Sequence, residues 1–256
     1  MASQLVGVVR NLQQRKGRRR RGLTLAEGVR LVEEALAAGV SIRGVLVGPG
    51  LSETPRGAAL LERLAGHAVP LEELPSRAFA AVAQTDAPQG VLAVIKPPHW
   101  EFADLAPGRG APVLVLDGVQ DPGNVGTLVR TAFALGAAGA VLLTGTADLA
   151  NPKVVRAGMG ATFRLPTVTA EPAEFVAWAR RERLAVWVTA SDGTPLTRAA
   201  GPERLALVVG NEGAGVGPEL RTLAHQQVAI PLARGAESLN VAVAAGILLY
   251  EAVRGA

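Results

Sequence analysis

The chain is predicted to be an α/β protein whose second half folds as a parallel sheet. From Val113 onward, strand-like apolar runs alternate with helical stretches. The runs are apolar almost without interruption, as strands covered on both faces are. A stretch with four prolines, KPPHWEFADLAPGRGAP at 96–112, precedes them and reads as a linker. The expected organisation is a first domain over 1–95, a linker over 96–112, and a second domain over 113–256.

The first domain opens on a basic segment. LTLAEGVRLVEEALAAGV (23–40) then reads as a helix, with Val29, Val32, Leu36 and Ala37 as its apolar stripe and Gly39 as its cap. A strand at 45–48, helices at 57–66 and 76–84, a turn at TDAPQG and a strand at 91–95 follow. The second domain predicts strands at 113–119, 141–145, 163–169, 184–190, 205–210 and 228–232. Helices fall between them at 124–136, 151–160, 172–183 and 217–224. The final helix is apolar on every side from Val241 to Leu249, the pattern of a helix buried all round.

Composition narrows the chemistry. Hydrophobic residues make up 49% and aromatic ones 4%, so the core must be built from Ala, Val and Leu. Cysteine is absent, which removes disulfides, thiolate metal sites and cysteine nucleophiles. His67, His99 and His225 lack ligand spacing, and no metal is expected. The C-terminal apolar run is shorter than the ~18 residues of a membrane span, and Glu251 and Arg254 end it. The start has no apolar core of signal-peptide type, so a cytoplasmic protein is expected.

Seven Lys or Arg residues lie between Arg10 and Arg21, and no acid occurs before Glu27. The remaining 19 basic and 22 acidic residues leave a net of −3, so the whole positive excess sits in that first segment. Two readings are open: a frayed, solvated tail, or a cluster that binds nucleic-acid phosphates through counterion release. The second makes Arg15, Lys16, Arg18, Arg19, Arg20 and Arg21 the candidate RNA contacts.

Ligands of a parallel sheet sit beyond the carboxyl ends of its strands, and three polar clusters fall at such ends. In LDGVQDPGNVGTLVRTAFALG (116–136), Asn124 reads as a helix N-cap. Val125, Leu128, Val129, Ala132 and Phe133 form one apolar face, and Arg130 flanks it beside Gly126. In LALVVGNEGAGVGPEL (205–220), Glu212 is a carboxylate among glycines, read either as a cap for nearby amides or as a working group. The glycines run G-x-G-x-G from Gly213 with no acid about 20 residues on, which argues against a dinucleotide-dependent oxidoreductase. In ARGAESLNVAVAAG, Arg234, Glu237, Ser238 and Asn240 crowd the mouth of the last helix, with Ser238 as the expected N-cap.

Taken together, DPGNVGTLVRTAFALG, VVGNEGAGVGPEL and IPLARGAESLNVAVAAGILLYE resemble the three motifs of the SpoU-type RNA 2′-O-ribose methyltransferases of the SPOUT superfamily, over residues 113 to 254. The basic start, AEGVRLVEEAL and APQGVLAVI resemble that family's substrate-binding domain, similar in fold to ribosomal proteins that bind kink-turn RNA. The resemblance implies a deep trefoil knot in the second domain and a homodimer with the site at its interface. It implies S-adenosylmethionine (AdoMet) as cofactor, held by Gly210, Ile230, Ser238 and Leu239. Asn124, Arg130, Glu212, Ser238 and Asn240 fall at the catalytic positions, with Arg130 acting on the 2′-hydroxyl or its phosphate and Glu212 positioning Arg130. Ribosomal RNA of the large subunit is the favoured substrate. A tRNA enzyme and a non-catalytic assembly factor are the alternatives.

Overall fold

The computed structural model describes residues 4–196, 201–236 and 238–254. The elements run α1 (Gln4–Leu12), α2 (Arg15–Arg21), β1 (Thr24–Glu27), α3 (Val29–Ala37), β2 (Ser41–Val47), α4 (Pro55–Gly66), β3 (Leu71–Glu73), α5 (Ser76–Ala80) and β4 (Val91–Lys96). Then come β5 (Val113–Asp117), α6 (Pro122–Ala134), β6 (Gly139–Leu143), α7 (Pro152–Gly158), β7 (Thr167–Ala170) and α8 (Pro172–Arg181). The chain closes with β8 (Ala185–Pro195), β9 (Leu205–Gly210), α9 (Pro218–Leu223), β10 (Gln226–Ala229) and α10 (Val241–Arg254). Two compact units result, one from residues up to Pro98 with Ala150–Phe163, the other from His99–Leu149 and from Arg164 onward.

The first unit is a mixed sheet in the order β1-β4-β2-β3, antiparallel except between β2 and β3. Val29 and Val32 of α3 and Leu60 and Leu64 of α4 join Val45, Ala93 and Ile95 in one core, completed by Val155 and Phe163. A second cluster gathers Leu25, Leu46, Leu92 and Phe79 with Val6, Val9 and Leu12 of α1. Residues 4–21 are therefore wound into two helices and are not a frayed tail. Spacing of i, i+3 and i+6 puts those three residues of QLVGVVRNL on one helical face.

The helix read over 23–40 is two elements. Thr24–Glu27 is a strand paired with Ile95, Val94, Ala93 and Leu92 of β4. Gly28, at φ 103°, breaks the chain before α3 begins. A residue with that φ has no place in a right-handed helix.

The second unit is a six-stranded sheet, β10-β8-β9-β5-β6-β7, with every neighbouring pair parallel. β6 and β9 are buried along their whole length, which is why they read as unbroken apolar runs. Val113, Val115, Val141, Val186 and Val208 pack with Phe175 and Trp178 of α8. Alternation sends Leu114, Leu116, Leu207 and Val209 to the opposite face, all buried, where α10 lies on β9 and α6. Phe102 stacks on Trp178 with ring centroids 4.9 Å apart, and Leu105 enters the same core. The later part of the proline-rich stretch is thus anchored on this unit.

The last helix departs from expectation. Ala245, Leu248 and Leu249 are buried, but Val243, Ile247 and Tyr250 stand exposed. Within one chain it is buried on one side only.

Phe175 is fully buried between the sheet and Trp178. Phe175→Ala should lower stability by about 3–5 kcal/mol in denaturant unfolding. A loss under about 1 kcal/mol would mean that α8 does not hold this face.

Candidate active site

Helix α6 starts the site. Asp121 is its N-cap, the side-chain oxygen accepting from the Asn124 amide at 2.8 Å. Pro122 settles which of two competent caps is used, because its fixed φ suits the first helical position and places Asp121 just outside. Asn124, expected at the cap, sits inside the first turn with its side chain free for other partners. Val125, Leu128, Val129 and Ala132 are buried as the apolar face requires, whereas Phe133 is 40% exposed.

The loop after β9 is folded back on itself. Asn211 and Gly215 exchange backbone hydrogen bonds of 3.1 and 2.9 Å. Gly210 lies so close to the returning strand that a Cβ there would sit 2.2 Å from the Gly215 carbonyl carbon. The Asn211 side chain accepts from the amides of Gly213 and Ala214 and donates to the Gly118 carbonyl. The Gly217 amide donates to Asp117 Oδ2 at 2.7 Å. Sequence reasoning passed over Asn211 and Asp117. Their signal was an amide and a carboxylate each placed just where an apolar strand ends.

Glu212 is exposed on this loop. Its Oε1 accepts from Asn124 Nδ2 at 2.8 Å, so neither the nearby amides nor Arg130 is its partner. Asn124 Oδ1 in turn accepts from Asn240 Nδ2 at 3.0 Å. Asn240 Oδ1 accepts from the amides of Ala242 at 2.9 Å and Val243 at 3.4 Å. Asn240 is therefore the N-cap of α10, the role expected of Ser238, because the helix starts directly after it. Ser238 and Leu239 are exposed in the connecting segment, and Glu237 lies outside the described residues.

These bonds form a directed chain. It runs from the α10 amides, the positive end of a helix dipole, through two carboxamides to a carboxylate. Direction fixes each amide: its oxygen and one N–H are used, and one N–H of Asn124 and one of Asn240 remain to donate. Three segments separated by 88 and 116 residues meet here.

Arg130 is not part of this chain. It is exposed and bonded to none of the described residues. Six residues on from Asn124, it is separated from it by about 120° around α6. Gly210 is buried, Ile230 half-buried, and Leu232 and Leu239 are 38% and 39% exposed. A groove of about 600 Å³ runs between α6 and α10 past Asn124 and Asn240, bordered by Val243, Ile247 and Tyr250.

In the first unit the basic segment is helix α2. Arg15, Lys16, Arg19, Arg20 and Arg21 are exposed, but Arg18 is 5% exposed and turned inward. Among the described residues, no group of three His, Cys, Asp or Glu could hold a metal ion, and no helix is long and apolar enough to cross a membrane.

This fold and cluster define an α/β unit with a polar site at the carboxyl ends of a parallel sheet, in a chain that also holds a mixed-sheet unit. Residues 111–250 match the SpoU rRNA Methylase family, and residues 4–93 match the MRM3-like substrate binding domain. The chain belongs to the SpoU rRNA methylase family. It is 39% identical to the 23S rRNA (guanosine(2553)-2′-O)-methyltransferase RlmP of Bacillus subtilis, covering 94% of this chain and 92% of that protein. A crystal structure of an AdoMet-bound rRNA methyltransferase from Sinorhizobium meliloti is similar, at TM-score 0.87, 32% identity and coverage of 99% and 95%. So is the SpoU methyltransferase AviRb of Streptomyces viridochromogenes in complex with AdoMet, at TM-score 0.86, 30% identity and coverage of 98% and 97%.

Asn124→Asp should be more damaging to methyl transfer than Asn124→Ala. It replaces the donor to Glu212 with a second carboxylate about 3 Å away, where like charges cannot both ionise freely. Equal activity of the two variants in a labelled-methyl assay would show that the chain of amides does no work.

Proposed function

We propose that the protein transfers a methyl group from AdoMet to a ribose 2′-hydroxyl of large-subunit ribosomal RNA. The observation that carries this reading is the convergence of Glu212, Asn124 and Asn240 at the carboxyl ends of a parallel sheet, in a member of the SpoU family. Relatives matched over 94% and 90% of this chain are named as 23S rRNA 2′-O-methyltransferases, and another, matched over 98%, as an uncharacterized tRNA/rRNA methyltransferase. A cytoplasmic location goes with work on ribosomal RNA.

The residues present fit the cofactor. Leu232 and Leu239 expose apolar side chains and Ile230 is half-buried, apolar area that a flat group could cover. Gly210, where any Cβ would clash with the returning Gly215–Val216 backbone, keeps the loop after β9 tightly folded. Ile230, Ser238, Leu239 and the Gly210 turn would hold AdoMet, which supplies a methyl group on a sulfonium, already a strong electrophile.

What remains for the protein is to orient the hydroxyl and ease loss of its proton. The spare N–H groups of Asn124 and Asn240 are donors and can bind only acceptors, such as ribose or phosphate oxygens. Arg130, free of any carboxylate among the described residues, would hold the adjacent phosphate through its paired N–H groups and stabilise the developing alkoxide. Ser238 would add one more hydroxyl beside the cofactor. Arg15, Lys16, Arg19, Arg20 and Arg21 would bind RNA phosphates from the first unit, whose fold we take to resemble kink-turn-binding ribosomal proteins.

A homodimer and a trefoil knot complete the reading. Val243, Ile247 and Tyr250 fall at i, i+4 and i+7, an apolar stripe that a second copy would cover. Arg130, on another face of α6 from Asn124, would then serve a site shared between copies. The knot is supported by the return of α10 from edge strand β10 to β9 and α6 in the middle of the sheet. Functional boundaries at 1–95, 96–112 and 113–256 go with this reading.

Arg130→Ala should lower methyl transfer to ribosomal RNA by about 10²–10³-fold while AdoMet binding by calorimetry stays within about twofold. Arg130→Lys should not restore it, because a point charge lacks the fork. Undiminished transfer in Arg130→Ala would remove Arg130 from the mechanism. Separately, Val243→Asp with Ile247→Asp should sediment as a monomer at concentrations where the parent is a dimer. An unchanged sedimentation coefficient would place the interface elsewhere.

A further inference from the structure

Helix α2 should not hold by itself. Its sequence, RKGRRRR, spans seven residues, puts Arg15 opposite Arg19 and Lys16 opposite Arg20 at i, i+4, and contains a glycine. Like charges at that spacing repel, glycine disfavours helix, and two turns are too few to overcome the cost of nucleation. Something outside the helix must keep it wound.

The contacts of its inner side supply that hold. The Arg18 guanidinium donates through Nη1 to the carbonyls of Leu12 at 3.2 Å and Gln13 at 3.1 Å. These carbonyls lie at the C-terminal end of α1, where the helix dipole favours a cation. Gly17 is pressed against the same turn, for a Cβ there would fall on the Asn11 carbonyl oxygen. At the far end Gly22, in the left-handed region at φ 62°, returns its amide to the Arg18 carbonyl at 2.8 Å. α1 itself is anchored through Val6, Val9 and Leu12 in the core. Arg20 and Arg21 also reach α1, on the Asn11 side chain at 3.5 and 3.2 Å, but from exposed positions, whereas Arg18 is buried on main-chain carbonyls of α1 and central to the winding of α2.

We infer that Arg18 is a positioning residue for RNA binding, holding α2 wound so that Arg15, Lys16, Arg19 and Arg20 meet phosphates as a preformed set. This rests on the reading of α2 as an RNA contact. The ordering of a charged segment is then settled at folding, and binding is spared that entropy. Arg18 itself contacts no phosphate.

The salt dependence of binding separates a positioning cation from a contacting one. Removing one phosphate-binding cation reduces the slope of log K against log salt by roughly 0.7–0.9, whereas a change in preorganisation shifts affinity at constant slope. The probe is transcribed 23S rRNA, titrated from low to moderate salt with the full-length protein. Arg19→Ala and Arg20→Ala should each lower the slope by that amount. Arg18→Ala should weaken binding by about tenfold, comparable to ordering one residue, with the slope unchanged. Trypsin under native conditions gives a second reading: cleavage after Arg19, Arg20 and Arg21 should be at least about tenfold faster in Arg18→Ala than in the parent. Should Arg18→Ala fail to fold, Arg18→Met keeps the buried stem and removes only the guanidinium. A slope that falls in Arg18→Ala as it does in Arg19→Ala makes Arg18 a contact and overturns the inference, as does unchanged affinity or unchanged cleavage. If Arg19→Ala and Arg20→Ala leave the slope unaltered, it is the RNA reading of α2 that fails.

Discussion

Everything in the second unit follows from a sheet closed to water on both faces. Each of the interior strands β5, β6 and β9 spends its backbone on two neighbours and its side chains on both buried faces. A polar side chain in the body of such a strand would lose hydration without gaining a partner, at about 1–3 kcal/mol or more. Chemistry is therefore displaced to the strand ends. Asp117, Glu212 and the turn before α10 lie at or follow such ends, and because all neighbouring strands are parallel those ends lie at one edge of the sheet.

Those ends still need fixing, because loops wander. The loop after β9 is held by short-range devices: the Gly210 contact, the Asn211 side chain and the Gly217 amide on Asp117. The segment before α10 is held by its cap. The amide chain then ties loop to helix to helix. Each of its bonds is near the surface and contributes about 0.5–1.5 kcal/mol at most, so its value is not in stability. It sets direction, since a flip of either carboxamide would set donor against donor. A site built this way presents N–H groups outward and leaves the carboxylate engaged.

Much of this was legible in the sequence. Two-sided burial leaves an unmistakable mark, and strands such as LALVVG and VLVLD were read close to their observed limits. So were the three clusters, because polar residues stand out against those runs. What was hidden depended on choices between near equals. Asp121 and Asn124 are both good caps, and only Pro122 decides between them. Ser238 and Asn240 are both good caps, and the start of α10 decides. Strand β1 was absorbed into α3 because four buried residues are too few to show a period of two, although Gly28 marked the break. The last helix looked buried all round because a sequence cannot tell a face buried in the core from one left apolar on the surface. Arg18 was invisible for a similar reason: in a run of arginines, nothing local says which one turns inward.

The separation of Arg130 from Glu212 bears on mechanism. The resemblance suggested that the carboxylate orients the guanidinium. Had they paired, the site would have held an exposed salt bridge worth under about 1 kcal/mol, and the guanidinium would have met its phosphate already neutralised. The observed arrangement avoids that. Glu212 is occupied by a neutral carboxamide, which bonds it without engaging the Arg130 charge. On the proposed reading Arg130 would keep its five N–H donors for an incoming oxyanion, and a guanidinium, having no acceptor, would act through charge and geometry. On that same reading the proton of the 2′-hydroxyl would leave to another acceptor, such as the second oxygen of Glu212 or solvent.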